Sequence, residues 1–223
     1  FCSFLQKGTS RSTDKLKPLH GAIAYDLHYK LGDDYEIISQ GYGDDKEAQI
    51  KGRYIKKWVD ITVTKEKKAV AGLAVKFIMQ NYSQNSNNYF ENMLGETANI
   101  RANKCPYFQI IIILDRLPYY KKDTNKHIRK WEFFTKHNVE KYVALSEDNV
   151  DIFFHTPNKT LIYVVHIPDN DNLGTQSEYM EYYRDLDFLI KVSEDSFDTM
   201  ESAVVLNDYE TFIDKVYHTI LSQ

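Results

Sequence analysis

The chain has 223 residues, of which 43% are hydrophobic and 14% aromatic; this is enough for a sizeable core and excludes disorder of the whole chain. Its net charge of −4 averages two unlike parts. Residues 1–141 carry 24 basic and 16 acidic side chains, a balance of +8, whereas residues 142–223 carry 4 and 16, a balance of −12. Because binding to a polyanion depends on local charge, the total does not exclude such a partner.

The two cysteines, Cys2 and Cys105, exclude a disulfide framework and have no neighbours that suggest a zinc site. We therefore expect a cytoplasmic protein. The most apolar run, Ile110 to Leu114, is far shorter than a membrane span and predicts a buried strand. Four basic residues interrupt the first 17 positions, so no signal peptide is expected.

The first half of the chain predicts a loose polar arm over residues 1–17 and then a helix. Apolar residues recur every four positions from Leu19 to Leu31, and this helix ends near Gly32. A strand follows over residues 35–40. Two further strand-like segments, residues 54–64 and 69–79, are joined by a charged turn and resemble a hairpin.

The rest of the chain predicts alternating helices and strands. Expected are a helix over about 87–101, the Ile110 strand, a helix near 127–137, strands near 142–145 and 160–167, and acidic helices over about 177–191 and 208–221. The fold class is therefore α/β, with a central mixed sheet flanked by helices. We expect one domain, with a basic core over about 18–145 and an acidic, mostly helical portion over about 146–223.

An acid and a lysine on neighbouring predicted strands are the candidate chemical centre. Asp60 alternates with the apolar face formed by Val59 and Ile61, and Lys76 lies on the same face of its strand as Ala74 and Gly72. We expect these small residues to leave space for a bulky substrate. A carboxylate can bind Mg²⁺, and a lysine can orient water and offset phosphate charge, as metal-dependent phosphodiester cleavage requires.

The segment Val59 to Ile61, the strand Gly72 to Phe77 and the polar-rich helix that follows resemble the core of the PD-(D/E)XK nuclease superfamily. The resemblance covers about residues 18–115, and its specific part is residues 58–77. It implies a restriction-endonuclease-like fold and Mg²⁺-dependent cleavage of duplex DNA, with Mn²⁺ as a substitute. Asp60 matches the metal-binding acid and Lys76 matches the lysine of that family.

The resemblance fails at the second acid, which the family places two positions before the lysine. That position is Ala74, so either the acid has moved to the next helix, as in some restriction enzymes, or Ala74 is an engineered change. Glu91 and Glu96 are the candidates; they lie about 140° apart around the helix, and the spacing after Lys76 favours Glu91.

A further acid on the first helix would complete the metal shell that the resemblance implies. Asp26 lies at the edge of the apolar stripe of that helix, where an unpaired carboxylate is costly. Glu36 and Glu47 are weaker alternatives.

Two basic segments flank this candidate centre. Residues 46–68 have a balance of +5 and residues 101–141 a balance of +6, as a phosphate-binding groove requires. The candidate DNA contacts are Lys51, Arg53, Lys56, Lys57, Asn81, Gln84, Asn85, Asn88 and Arg101. A solvated face and an ordinary polar loop are the structural alternatives.

The leading hypothesis is a Mg²⁺-dependent type II restriction endonuclease that acts on double-stranded DNA as a homodimer, with no membrane partner. In this hypothesis Asp60, Glu91 or Glu96, and Lys76 carry the chemistry, and no organic cofactor is required. The alternative is a degenerate nuclease fold that binds nucleic acid or a protein without cleavage. A third hypothesis is a protein whose acidic C-terminal helices dock a basic partner and that does not bind DNA.

Overall fold

The computed structural model describes Phe1, Leu5, residues 16–194 and residues 204–223. The predicted N-terminal arm therefore lies almost wholly outside the described residues. The helices are α1 (Lys17–Leu31), α2 (Tyr82–Arg101), α3 (Lys136–Ser146), α4 (Gln176–Asp185) and α5 (Tyr209–Leu221). The strands are β1 (Glu36–Ser39), β2 (Ala48–Lys51), β3 (Lys56–Val59), β4 (Ile61–Lys65), β5 (Lys68–Ile78), β6 (Tyr107–Leu114), β7 (Arg116–Tyr120), β8 (Ile128–Phe133), β9 (Lys159–His166), β10 (Lys191–Val192) and β11 (Val204–Leu206).

A mixed sheet of seven strands forms the centre of the fold, which confirms the predicted α/β class. Its order is β1-β4-β5-β6-β9-β10, and β11 also pairs with β9. The pairs β1–β4 and β4–β5 are antiparallel, whereas β5, β6 and β9 run parallel. Two antiparallel ribbons, β2–β3 and β7–β8, lie outside this sheet.

Helices cover both faces of the sheet at β6. All eight residues of β6 are buried, as a parallel strand covered on both sides requires. On one face Phe108 makes an edge-to-face contact with Phe212 of α5, which also contacts α1. On the other face Gln109 donates a hydrogen bond to Thr97 of α2. Because neighbouring side chains of a strand point to opposite faces, α2 and α5 lie on opposite sides of the sheet.

Several predicted elements are confirmed within a few residues. The Leu19–Leu31 periodicity corresponds to α1, the hairpin-like pair contains β4 and β5, and the last acidic helix corresponds to α5. Helix α2 begins at Tyr82, five residues earlier than predicted. The acidic C-terminal portion is less helical than expected, because β9, β10 and β11 all join the central sheet.

Two adjacent predictions are wrong. The predicted helix near 127–137 is mostly β8, which pairs antiparallel with β7. The predicted strand near 142–145 lies inside α3, where Val139, Tyr142 and Leu145 are buried at helical spacing. Thr135 begins this helix, and its backbone N–H donates to Asn138 Oδ1 over 2.8 Å. Residues 128–133 form a strand by pairing with the preceding strand β7, and the pattern within residues 128–133 does not record that partner.

In the part of the chain that the structure describes, no helix is both long and apolar enough to cross a membrane.

Candidate active site

Asp60 lies at a break between two strands. The predicted strand over residues 54–64 is divided here, because β3 pairs with β2 in the outer ribbon whereas β4 belongs to the central sheet. The Asp60 side chain is half-buried, and its Oδ2 accepts a hydrogen bond from the backbone N–H of Val75 over 2.7 Å. Burial raises the pKa of Asp60 to about 6; the Val75 hydrogen bond opposes this rise, and the charge of Glu96 adds to it. The environment of this carboxyl group therefore disfavours its charged form when no cation is bound.

Lys76 projects from β5 beside the same cleft. The residue is exposed, and its ammonium nitrogen lies 4.4 Å from the ring centroid of Tyr89 on α2. Partial desolvation lowers the pKa of Lys76, while Glu96 and Asp60 act in the opposite direction. Both acids are thus close enough to influence the lysine electrostatically.

Glu96 is the helix acid that faces this pair. Its Oε2 lies 2.7 Å from the ammonium nitrogen of Lys57, and its Oε1 accepts a hydrogen bond from the hydroxyl of Tyr107. The Glu96 side chain is only 20% exposed. Burial raises the pKa of Tyr107 well above its usual value, and the neighbouring Glu96 adds to the effect, so the phenol remains a donor. The helix, the hairpin strand β3 and the central strand β6 together fix the position of this carboxylate.

The other two candidate metal-binding acids lie elsewhere. Glu91, which the sequence spacing favours, is exposed and does not line the cleft that contains Asp60 and Lys76. Asp26 accepts a hydrogen bond from the Tyr209 hydroxyl over 2.7 Å, where α1 meets α5. Its position at the edge of the apolar stripe is explained by this contact. The geometry thus groups Glu96, and neither Glu91 nor Asp26, with Asp60 and Lys76.

The cleft has a volume of about 560 Å³ and lies between the end of β5 and helix α2. Among the described residues, those that line it all fall between Leu16 and Gln109, and none of them belongs to the acidic C-terminal portion. Ala74 lines the cleft at the position where the family carries its second acid. Gly72 does not supply the expected open space, because a Cβ there would lie 2.7 Å from Ile50 Cδ1 and 2.9 Å from the Tyr107 ring. Its small size instead accommodates these two core side chains.

The polar residues at the start of α2 divide into two groups. Asn81 and Asn85 line the cleft, whereas Gln84 and Asn88 are exposed outside it. Asn81 adopts a left-handed backbone conformation, and its Oδ1 accepts from the backbone N–H of Tyr120 over 2.7 Å. Asn81 therefore connects α2 to β7, a structural task that the sequence does not reveal.

The candidate DNA-binding cations lie in two different environments, one exposed and one buried. Lys51, Arg53 and Lys56 are exposed on the β2–β3 ribbon, and Lys57 of the same ribbon pairs with Glu96. Arg101 is buried, and its guanidinium donates to the backbone carbonyls of Val150, Phe153 and Thr156. Its place among the expected DNA contacts is not supported by this geometry, because the charged group is enclosed by the loop that it holds.

Sequence reasoning missed several residues of the site. Tyr107 and Gln109 precede the predicted Ile110 strand, and their contacts with α2 appear only when β6 and that helix are packed together. His20 is buried on α1, and within the described residues neither of its ring nitrogens has a hydrogen-bond partner; burial lowers its pKa to about 4, against the effect of Glu47. Burial and the charge of Asp60 raise the pKa of Glu47, so this weaker alternative is close enough to Asp60 to interact with it electrostatically. In the sequence, the only indication of this interaction is that Glu47 is an acidic residue.

Within the described ranges, no three His, Cys, Asp or Glu side chains are grouped tightly enough to form a metal site by themselves. No family model, curated protein or solved structure matches the chain.

Proposed function

We propose that this protein is a Mg²⁺-dependent endonuclease that hydrolyses phosphodiester bonds of double-stranded DNA, in the manner of PD-(D/E)XK type II restriction enzymes. The observation that carries the proposal is that three side chains line one cleft: Asp60 at the break before β4, Glu96 on α2 and Lys76 on β5. Two oxygen-ligand acids and a lysine at one cleft are the groups that metal-assisted phosphodiester hydrolysis uses. Glu96 fills the role that Ala74 leaves open.

The residues present fit a magnesium ion. Mg²⁺ commonly binds through one or two carboxylates and completes its shell with water and substrate phosphate, so a third protein acid is not required. Burial is the main cause of the raised pKa of Asp60, and the charge of Glu96 adds to it, so a cation bound to both carboxylates would offset part of this cost. A bound Mg²⁺ would supply Lewis-acid stabilisation of phosphate charge and a more acidic water. Mn²⁺ presents the same preference for oxygen ligands.

The basic residues have distinct tasks in this proposal. Lys76, with its ammonium group against the Tyr89 ring, offsets the charge that develops on the phosphate and orients the attacking water. Lys57 holds the Glu96 carboxylate in position through their 2.7 Å ion pair. Lys51, Arg53 and Lys56 on the adjacent ribbon contact phosphates farther along the duplex. The DNA would thus lie across the basic part of the chain and away from the acidic C-terminal portion.

Cleavage of both strands would require two such sites, so we propose that a homodimer acts on a two-fold symmetric target in the cytoplasm. Each protomer would then provide one Asp60–Glu96–Lys76 centre, and each centre would cleave one strand.

A second candidate function has its own supporting observation. Ala74 removes the usual second acid, and Glu96 is engaged by Lys57 and Tyr107. A protein that binds nucleic acid without cleaving it would have the same features. The two proposals differ in one respect: the first predicts Mg²⁺-dependent strand cleavage and the second does not.

The test compares the wild-type protein with Lys76→Ala and Asp60→Asn on a plasmid of mixed sequence. We expect Mg²⁺-dependent cleavage by the wild type, loss of cleavage in both variants, and duplex binding by Lys76→Ala that remains within a few-fold of the wild type. Lys191→Ala, which removes an exposed lysine of the acidic C-terminal portion outside the cleft, is the matched control and should cleave normally. Wild-type binding without cleavage would support the non-cleaving alternative, and full cleavage by Lys76→Ala would refute the assigned centre.

A further inference from the structure

The ribbon β2–β3 with its turn, residues 48–59, carries an uncompensated positive face; we call it the basic hairpin. It contains Lys51, Arg53, Lys56 and Lys57 and no acidic residue. Lys51 and Lys56 are directly opposite each other across the ribbon. Like charges in opposed positions destabilise a ribbon, and within the described residues no carboxylate pairs with Lys51, Arg53 or Lys56. The outer face of the hairpin therefore lacks the negative charge that would balance it.

The tip of the basic hairpin exposes large apolar side chains beside these cations. Tyr54 is 83% exposed and Ile55 is 64% exposed, and Trp58 on the outer face is 58% exposed. The opposite face carries Ile50 and Val59, which are buried against Ile100 and Tyr107. Since the hairpin already buries one apolar face, the exposed side chains at its tip do not contribute to the core. Exposed apolar residues framed by cations are suited to a partner with both phosphates and bases.

The tip is held rigidly by one residue of α2. Asn99 Oδ1 accepts from the backbone N–H groups of Tyr54 and Ile55, and Asn99 Nδ2 donates to the Ile55 carbonyl over 3.0 Å. The backbone carbonyl of Asn99 also accepts from the N–H of Arg53 over 2.7 Å. Gly52 packs against the Asn99 side chain with no room for a Cβ. A tip fixed in this way loses little conformational entropy when it binds.

The hairpin is also coupled to the candidate active site. Lys57, on its inner face, forms the ion pair with Glu96 at the cleft. The outer face and the tip therefore project from the structure that positions the proposed metal-binding acid. A polyanion that crosses the cleft passes close to the hairpin.

We propose that the basic hairpin is a duplex-DNA wedge: Lys51, Arg53 and Lys56 contact phosphates, and Tyr54 and Ile55 enter a groove and press against the bases. This inference rests on the proposed function, and it assigns the apolar tip a share of affinity that does not depend on charge. Phosphate contacts release counterions and give affinity a salt dependence, whereas apolar contacts with bases do not. The two kinds of contact are therefore separable by experiment.

The experiment measures binding of end-labelled duplex DNA of mixed sequence at several salt concentrations, in EDTA to prevent cleavage. Replacing Lys51 and Lys56 by Gln should lower the slope of log K against log salt by about 1.8 and weaken binding on the order of 10- to 100-fold at moderate salt. The Tyr54→Ala/Ile55→Ala variant should weaken binding by about tenfold or more at every salt concentration, with an unchanged slope. Lys191→Gln and Leu189→Ala remove an exposed cation and an exposed apolar side chain elsewhere and should change neither quantity.

The outcomes separate this inference from the proposed function. If the wild type binds and cleaves DNA but the hairpin variants match it in affinity and slope, the wedge is refuted and the nuclease proposal stands. If the tip variant leaves DNA affinity unchanged but alters the oligomeric state in light scattering, the tip is a protein interface and the wedge is again refuted. If the wild type neither binds nor cleaves duplex DNA, both proposals fail. Unchanged circular dichroism and thermal melting would establish that the variants are folded, as their exposed positions predict.

Discussion

The substitution Glu96→Gln tests which helix acid serves the candidate centre. Glutamine keeps the size of the side chain and an oxygen that accepts from the Tyr107 hydroxyl, but it removes the charge that pairs with Lys57. An ion pair in which Lys57 is 42% exposed contributes about 1 kcal/mol or less to stability, so the variant should remain folded. The loss of charge also lowers the pKa of Asp60, because Glu96 is one of the groups that raise it.

The effect on catalysis should be much larger than the effect on folding. Even partners that only orient metal ligands change metal affinity or activity by about 10- to 100-fold, and loss of one stabilising group in an active site costs about 100- to 1,000-fold. We therefore expect Glu96→Gln to reduce the single-turnover rate of plasmid cleavage in Mg²⁺ by at least about 100-fold.

The exposed Glu91 provides a matched control on the same helix. Glu91→Gln removes an identical charge outside the cleft and should leave the rate within about twofold of the wild type. A Glu96→Gln variant that cleaves at the wild-type rate would refute the assignment of Glu96 as the second acid. Loss of cleavage in Glu91→Gln alone would show that the sequence spacing, and not the present geometry, identifies the second acid.

Three further predictions concern stability. The pKa of the Asp60 carboxyl is 3.8 when unperturbed and about 6 in the folded protein, so the folded protein binds this proton more tightly than the unfolded chain does. The free energy of unfolding therefore falls as pH rises from about 4 to 6. Asp60→Asn should therefore raise the free energy of unfolding by up to about 3 kcal/mol near pH 7, and by almost nothing near pH 4, in urea titrations; an equal effect at both values would contradict the burial argument. Arg101→Met should cost about 2–4 kcal/mol because it leaves three backbone carbonyls without their charged donor, and the salt slope of DNA binding should not change; a reduced slope would show that Arg101 contacts phosphate after all. Gly72→Ala should cost about 1–3 kcal/mol in the same titrations, because its methyl group overlaps Ile50 and Tyr107; a neutral result would mean that this region has the open space expected from the sequence.

The helices and strands that the sequence predicts well are those with a strong local pattern. The four-residue repeat of Leu19 to Leu31 predicts α1, and the all-apolar run at Ile110 predicts the buried centre of β6. Residues 128–133 were predicted as helix because their local pattern contains no record of β7, the strand with which they pair. A local pattern cannot identify a partner that the chain brings from elsewhere.

The candidate site shows the same division. Alternation along the strands is sufficient to place Asp60 and Lys76 at one cleft. It is not sufficient to choose Glu96 over Glu91, because that choice depends on how α2 is rotated against the sheet. Glu96 contacts buried Tyr107 of β6 and pairs with Lys57 of β3, and the pattern of α2 alone shows neither contact. Likewise, the sequence does not show that Asp26 contacts the Tyr209 hydroxyl or that Arg101 contacts the carbonyls of residues 150–156, because these partners lie far away along the chain.

The most direct test of the central claim is cleavage of mixed-sequence plasmid DNA by the wild-type protein, measured with Mg²⁺ and with EDTA. The proposed centre predicts cleavage that yields reproducible discrete fragments with Mg²⁺, and none with EDTA. Equal cleavage under both conditions, or no cleavage of duplex DNA with Mg²⁺ or Mn²⁺, would contradict it.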